Sequence, residues 1–185
     1  MSRVYVFLAD GFEEIEGLTV VDVLRRAKVD VCTVSVTGSK TIHGSHGIDL
    51  QADALFEDLT FDDASWLVLP GGMPGTLALG AHEGLKQLLL GSAARGIRIS
   101  AICAAPSVLG DLGLLRGCKA ACHPGFEDRL QGAEVVFDDV AEEENVITSR
   151  GMGTAIAFAL TLVKRLCGRE TAMEIGSGLV WNGEV

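Results

Sequence analysis

The sequence contains no CxxC pair, and its five cysteines make an odd count. That argues against a disulfide framework and against a cysteine-rich zinc site. Cys122-His123 has no matching partner cluster, so no metal site is expected. Neither GxxxxGK[ST] nor GxGxxG occurs, which removes the usual phosphate and dinucleotide loops. No apolar run is long enough to span a membrane. The opening MSRVYVFLADGFEE has too short an apolar stretch for a signal peptide, and acids follow at once. Basic charge is scarce: the formal net charge is −10. That speaks against nonspecific binding to nucleic acid or an anionic membrane. A cytoplasmic protein is the expectation. Aromatic residues are only 5% of the chain, so the core must be aliphatic.

What is present is a chain of 185 residues with 48% apolar content and 23 glycines. Its length suits one domain, residues 1–185. Short apolar runs alternate with segments of helical period. Strands are expected at 3–9, 30–36, 65–69, 98–102 and 145–148, with short strands at 119–122 and 134–138. Helices are expected at 13–28, 76–94, 104–115, 153–166 and 170–179. Residues 41–52 read as a small hairpin. This alternation implies a single flavodoxin-like, doubly wound α/β domain, its sheet mostly parallel with helices on both faces. In such sheets, sites form beyond the carboxyl ends of the strands. That rule gathers loops 10–14, 70–75, 103–105 and 149–153 at one edge.

In SAICAAPSVLG, residues 100–110, Cys103 falls at the joint between a strand and a helix. Unpaired amides and the positive end of the helix dipole favour thiolate there. A sharp turn also pushes the side chain out of the sheet, as in a nucleophile elbow. A small buried hydrophobe is the plainer reading of a cysteine, but its place at the carboxyl edge of a central strand favours function. Cys32, Cys118, Cys122 and Cys167 read as structural.

Projecting 13–28 at ~100° per residue places Glu16, Val20, Val23 and Ala27 on one stripe, with Leu24 beside them. Glu16 is thus a carboxylate on an apolar face, where it tends to keep its proton. It could donate to a thiolate or act as general acid or base. An acid complementing the helix dipole accounts well for Glu13 and Glu14 but less well for Glu16. In LPGGMPG, Gly71 and Gly72 can adopt angles barred to other residues. Their amides, with that of Ala104, could form an oxyanion hole, or the stretch is an ordinary turn. His123, in ACHPGFE, could polarise a group near the thiol or be structural, and spacing alone does not choose. His43, His46 and His82 read as structural.

Together ADGFEEIE, VLPGG, AICAAP and TSRGMGTAIAFAL resemble the DJ-1/ThiJ/PfpI superfamily, in the branch that holds the parkinsonism-associated DJ-1 and bacterial YajL. The four motifs run in the same order from the first strand to the last helix. The resemblance implies a flavodoxin-like homodimer. It makes Cys103 the reactive cysteine and Glu16 the protonated glutamate bonded to it, with His123 as the histidine that follows. It makes Gly72 and Ala104, with Gly71 beside them, the oxyanion-hole amides. Arg26 ends the first helix near the dimer interface. His46 stands where the family carries an arginine in a hairpin that approaches the partner's site. Met152 stands where proline follows TSRG. Family activities include glyoxalase without cofactor, protein deglycation, redox sensing and chaperoning. A peptidase or glutamine amidotransferase would need a histidine directly after the cysteine, and Ala104 is there instead.

Two readings follow. In one, Cys103 is the nucleophile of a cofactor-free glyoxalase or deglycase acting on 2-oxoaldehydes such as methylglyoxal, or on their protein adducts. In the other, Cys103 oxidises to a sulfinate in a redox-sensing stress-response protein or chaperone. Both readings expect Cys103 to titrate well below the free thiol value of ~8.5.

Overall fold

The computed structural model describes residues 2–183. Seven strands form the main sheet: β1 (Arg3–Leu8), β2 (Val31–Ser35), β5 (Ala54–Leu55), β6 (Ala64–Leu69), β7 (Arg98–Ile102), β10 (Val140–Glu142) and β11 (Val146–Ser149). Their order is β10-β11-β7-β6-β1-β2-β5. All neighbours are parallel except β10 against β11. The central strands are almost wholly buried and rich in Val, Ile and Leu, as a sheet covered on both faces requires.

One face carries α1 (Glu14–Arg26), α5 (Ala155–Cys167) and α6 (Arg169–Gly178), packed through Val20, Leu24, Phe158 and Leu162. The other carries α2 (Gly75–Ala81), α3 (Glu83–Ala94) and α4 (Pro106–Asp111), packed through Leu79, Leu85, Leu89 and Leu109. Acids in the first turn of α1 and arginines in its last turn complement its dipole. Under the sheet, the Trp66 indole N–H donates to Ser100 Oγ at 2.7 Å, which satisfies a buried donor.

The structure departs from the sequence reading in four places. The helix expected at 76–94 is two helices broken at His82. That residue has extended backbone, and its Nδ1 accepts from the Leu85 amide at 3.0 Å, capping α3. The helix expected at 104–115 keeps only Pro106–Asp111, because Ala104 and Ala105 form the turn and Gly113 has φ +73°. The short strands, β8 (Lys119–Ala120) and β9 (Glu134–Val135), pair with each other outside the main sheet. Edge strands β5 and β10 are too short to show a period of their own. The hairpin at 41–52 is present as β3 (Thr41–His43) and β4 (Asp49–Gln51).

The chain leaves β1 toward β2 on one side and returns to β6 on the other. The carboxyl ends of β1, β6, β7 and β11 therefore border one crevice at this switch point, where open α/β sheets bind ligands.

Candidate functional site

Cys103 follows β7 directly and has φ +66°, a conformation that L-residues rarely adopt. The end of β11 and the loop after Ala120 hold it there. Its amide donates to Ser149 O at 3.0 Å, and its carbonyl accepts from the His123 amide at 2.8 Å. The Gly72 and Ala104 amides both act on the sulfur from the backbone, favouring its charged form. Gly72 itself has φ +93°, which lets its backbone turn toward the thiol.

Glu16 sits in the first turn of α1 and is fully buried. Its Oε2 accepts from the Gly71 amide at 2.9 Å. Its Oε1 is buried without a well-aligned donor, and the Cys103 thiol is the group near enough to act on the carboxyl. Burial raises the Glu16 pKa to about 7, against the hydrogen bonds from Cys103 and Gly71. A carboxyl in that range is suited to proton transfer at neutral pH.

Cys103 is pulled both ways. Burial and an ionised Glu16 push the thiol up to about 12, while the Gly72 and Ala104 amides pull it down. The expectation of a simply acidic thiol is corrected by this burial: the helix-end amides do not act alone. The pair has one negative charge to place once it has lost its first proton. On Glu16, that charge meets the Gly71 amide and the thiol. On sulfur, it meets the Gly72 and Ala104 amides and the Glu16 carboxyl as a third donor. Protonated Glu16 also reverses its own effect on the thiol, from a repelling charge to a hydrogen-bond donor. A thiolate beside a carboxylic acid thus has three donors on the sulfur, set against the burial that pushes the thiol up.

A cavity of about 360 Å³ opens over the pair, lined by Glu13, Glu16, Cys103, His123 and residues 150–154. His123 stands at its exposed rim, with Nδ1 3.0 Å from Pro124 O. Met152, half exposed, forms the mouth. Gly151 lies close to Glu16 Oε1 and to the His123 ring.

The residues singled out in the sequence divide as follows. Cys103, Glu16, Gly72, Ala104, His123 and Met152 come together. The Gly71 amide is not directed at the sulfur: it is taken by Glu16. Arg26 is not in this cavity. It pairs with Asp22 at 2.7 Å and lines a separate groove with Lys28 and Glu174, since the length of α1 separates it from Glu16. His46 lies beside the cavity on the hairpin, 3.0 Å from Glu14 and 3.5 Å from Glu13. Sequence reasoning missed Glu13 and Arg150 as lining residues. Both belong to loops placed at the sheet edge, yet neither has a local signal that distinguishes it from an ordinary surface charge. Donor atoms of Glu13, Glu14 and His46 lie within 4.8 Å of one another, but both Glu14 oxygens are engaged by Ser45 and His46.

Among the described residues, no helix is long and apolar enough to cross a membrane. The model of the DJ-1/PfpI family matches residues 2–165. Protein dj-1beta of Drosophila melanogaster is 36% identical over 177 residues, covering 95% of each chain. The glutathione-independent glyoxalase DJR-1.2 of Caenorhabditis elegans is 32% identical over 171 residues, 91% of this chain and 90% of that protein. The structure of oxidized Toxoplasma gondii DJ-1 superposes with a TM-score of 0.95 at 34% identity, covering 99% of this chain and all of that one. The chain spans 41% and 45% of two longer Arabidopsis thaliana relatives, the DJ-1 homologs B and A.

Proposed function

This chain belongs to the DJ-1/PfpI family, and on that premise we propose that it is a cofactor-free glyoxalase or deglycase that uses Cys103 as nucleophile. The carrying observation is the buried Glu16 carboxyl beside a strained, amide-flanked thiol. The glyoxalase name of the nematode relative agrees with it.

In this reading, the Cys103 sulfur attacks the aldehyde carbon of a 2-oxoaldehyde, forming a C–S bond. The Gly72 and Ala104 amides hold the oxygen that gains charge. Glu16 gives its proton to that oxygen, and the carboxylate so formed takes the hydrogen from the carbon as a proton and returns one to the neighbouring carbon. His123 at the rim assists the transfer. The product is a thioester of a 2-hydroxy acid, which water cleaves to free acid and thiol. The overall change adds one water, and no electrons leave the substrate–water pair. An adduct on a protein amine would enter through the same attack, releasing the amine. No proteolytic step is proposed, because Ala104 stands where a peptidase of this family would place histidine.

We read the protein as a cytoplasmic homodimer. The outer side of α1 exposes Ile15 and Leu18, and beside it Met152 and Ile156 are exposed at the start of α5, an apolar face that a second copy would cover. Arg26 and His46 would lie on its partner-facing side.

The redox reading keeps support from the relative solved in oxidized form. Protonated Glu16 would hydrogen-bond a Cys103 sulfinate strongly. The deciding experiment is lactate formation from methylglyoxal by the wild type, Cys103→Ala and Glu16→Gln. Loss in both variants, by about 100-fold or more, supports the enzyme. An inactive wild type with reduced Cys103 turns the assignment to redox sensing.

A further inference from the structure

Arg150 is the one cation lining the Cys103 cavity among the described residues, and the reaction above does not use it. It follows β11, whose Ser149 pairs with Ile102 in parallel register. The next step along both strands therefore sets Arg150 alongside Cys103. The guanidinium lies over the Phe137 ring, 5.8 Å from its centroid, and Nη1 makes a long contact of 3.5 Å to Phe137 O. Its Nε is buried and has no hydrogen-bond partner among the described residues. A guanidinium stays charged at every working pH, and its fork matches a carboxylate. A buried donor of this kind is costly to leave unmet. Glu13 and Glu16 line the same cavity, so net charge does not draw anions in. A directed donor is what distinguishes one anion from another here.

We propose that Arg150 is a specificity-determining residue that receives a carboxylate carried by the substrate of the Cys103 site. The preferred class would then be 2-oxoaldehydes, or their adducts, bearing an acidic group beyond the carbonyl pair, rather than uncharged methylglyoxal. This rests on the proposed reaction for its substrate class, though the anion site itself can be read without turnover.

The experiment compares 4-carboxyphenylglyoxal with phenylglyoxal as substrates, and iodoacetate with iodoacetamide as alkylating agents of Cys103. Wild type, Arg150→Met and Arg150→Lys are measured side by side. The kcat/KM ratio of carboxylated to uncharged substrate should fall about tenfold in Arg150→Met, a loss comparable to one charge-assisted hydrogen bond. Arg150→Lys should restore part of it. The iodoacetate-to-iodoacetamide rate ratio should fall in the same order. In the unaltered protein, lactate should protect Cys103 from iodoacetamide better than lactamide does at equal concentration. Turnover with both ratios unchanged in Arg150→Met overturns the anion site and leaves the reaction standing. A falling alkylation ratio with no turnover of either substrate supports the anion site and overturns the reaction. Equal protection by lactate and lactamide counts against the anion site even if Arg150→Met fails to fold.

Discussion

The Gly71 amide donates to Oε2 of Glu16 at 2.9 Å, so the first glycine after β6 orients the Glu16 carboxyl and the second, Gly72, acts on the sulfur. Two consecutive residues thus address two different groups of one site. This division of labour ties loop 70–75 to both halves of the thiol–carboxyl pair.

Replacing Glu16 separates the two places where the pair's charge can reside. With the charge on sulfur, Glu16→Leu removes a donor to the thiolate and should raise the apparent pKa of Cys103 by about one unit, or ~1.4 kcal/mol. Glu16→Gln should raise it less, since an amide still donates. Thiolate absorbance or alkylation rate against pH reads the shift. A lower pKa in Glu16→Leu would mean that the carboxylate holds the charge.

The pH profile of turnover should report the same pair. Its first proton leaves at or below about 7, the value to which burial raises Glu16. Below that value both groups are protonated and the nucleophile is lost. kcat/KM should therefore rise with pH to a plateau reached by about pH 8. A profile already falling between pH 5 and pH 7 would contradict this assignment of the active form.

Gly71→Ala should harm the site more than its chemistry suggests. A methyl there would meet Cys103 Cβ at 2.6 Å and Glu16 Oε2 at 2.7 Å. Overpacking of this kind costs about 1–3 kcal/mol, visible in a urea midpoint. Alkylation of Cys103 should change as well. Unaltered stability and reactivity would show that the loop shifts freely.

Glu14 should govern acid stability of the hairpin contact. Burial opposes its ionisation, but its own amide, His46 and Ser45 hydrogen-bond the carboxylate and hold its pKa at about 2. A depressed folded-state pKa gives stability that is present above the unfolded value of 4.5 and lost as pH falls toward 2. Glu14→Gln should flatten the dependence of the urea midpoint on pH in that window. A slope equal to wild type would assign acid denaturation to other carboxylates.

The Cys103–Glu16 pair at the candidate site was legible in the sequence because its signals are local. Cys103 is marked by an apolar run that stops and a helix that starts. Glu16 is marked by a 3.6-residue period that sets it among Val20, Val23 and Leu24. Both marks depend only on neighbours within a turn or two of chain. The alternation that implies a parallel sheet is equally local, and the seven-stranded core follows it. Where the reading failed, short range was the reason. The break at His82 depends on a side chain that caps the next helix, and α-period alone runs straight through it.

By itself, then, the sequence determined the α/β class, the carboxyl-edge loops, the cysteine at the elbow and the carboxylate on the apolar face, since backbone periodicity and helix-end amides act within one segment. Tertiary structure decided the rest. It gave the Gly71 amide to Glu16, the Gly72 amide to sulfur, and the cavity wall to Arg150, and it left Arg26 at the far end of α1. These assignments join residues distant in the chain, 55 positions for Gly71 and Glu16, and only the packing of β1, β6, β7 and β11 side by side brings such residues together.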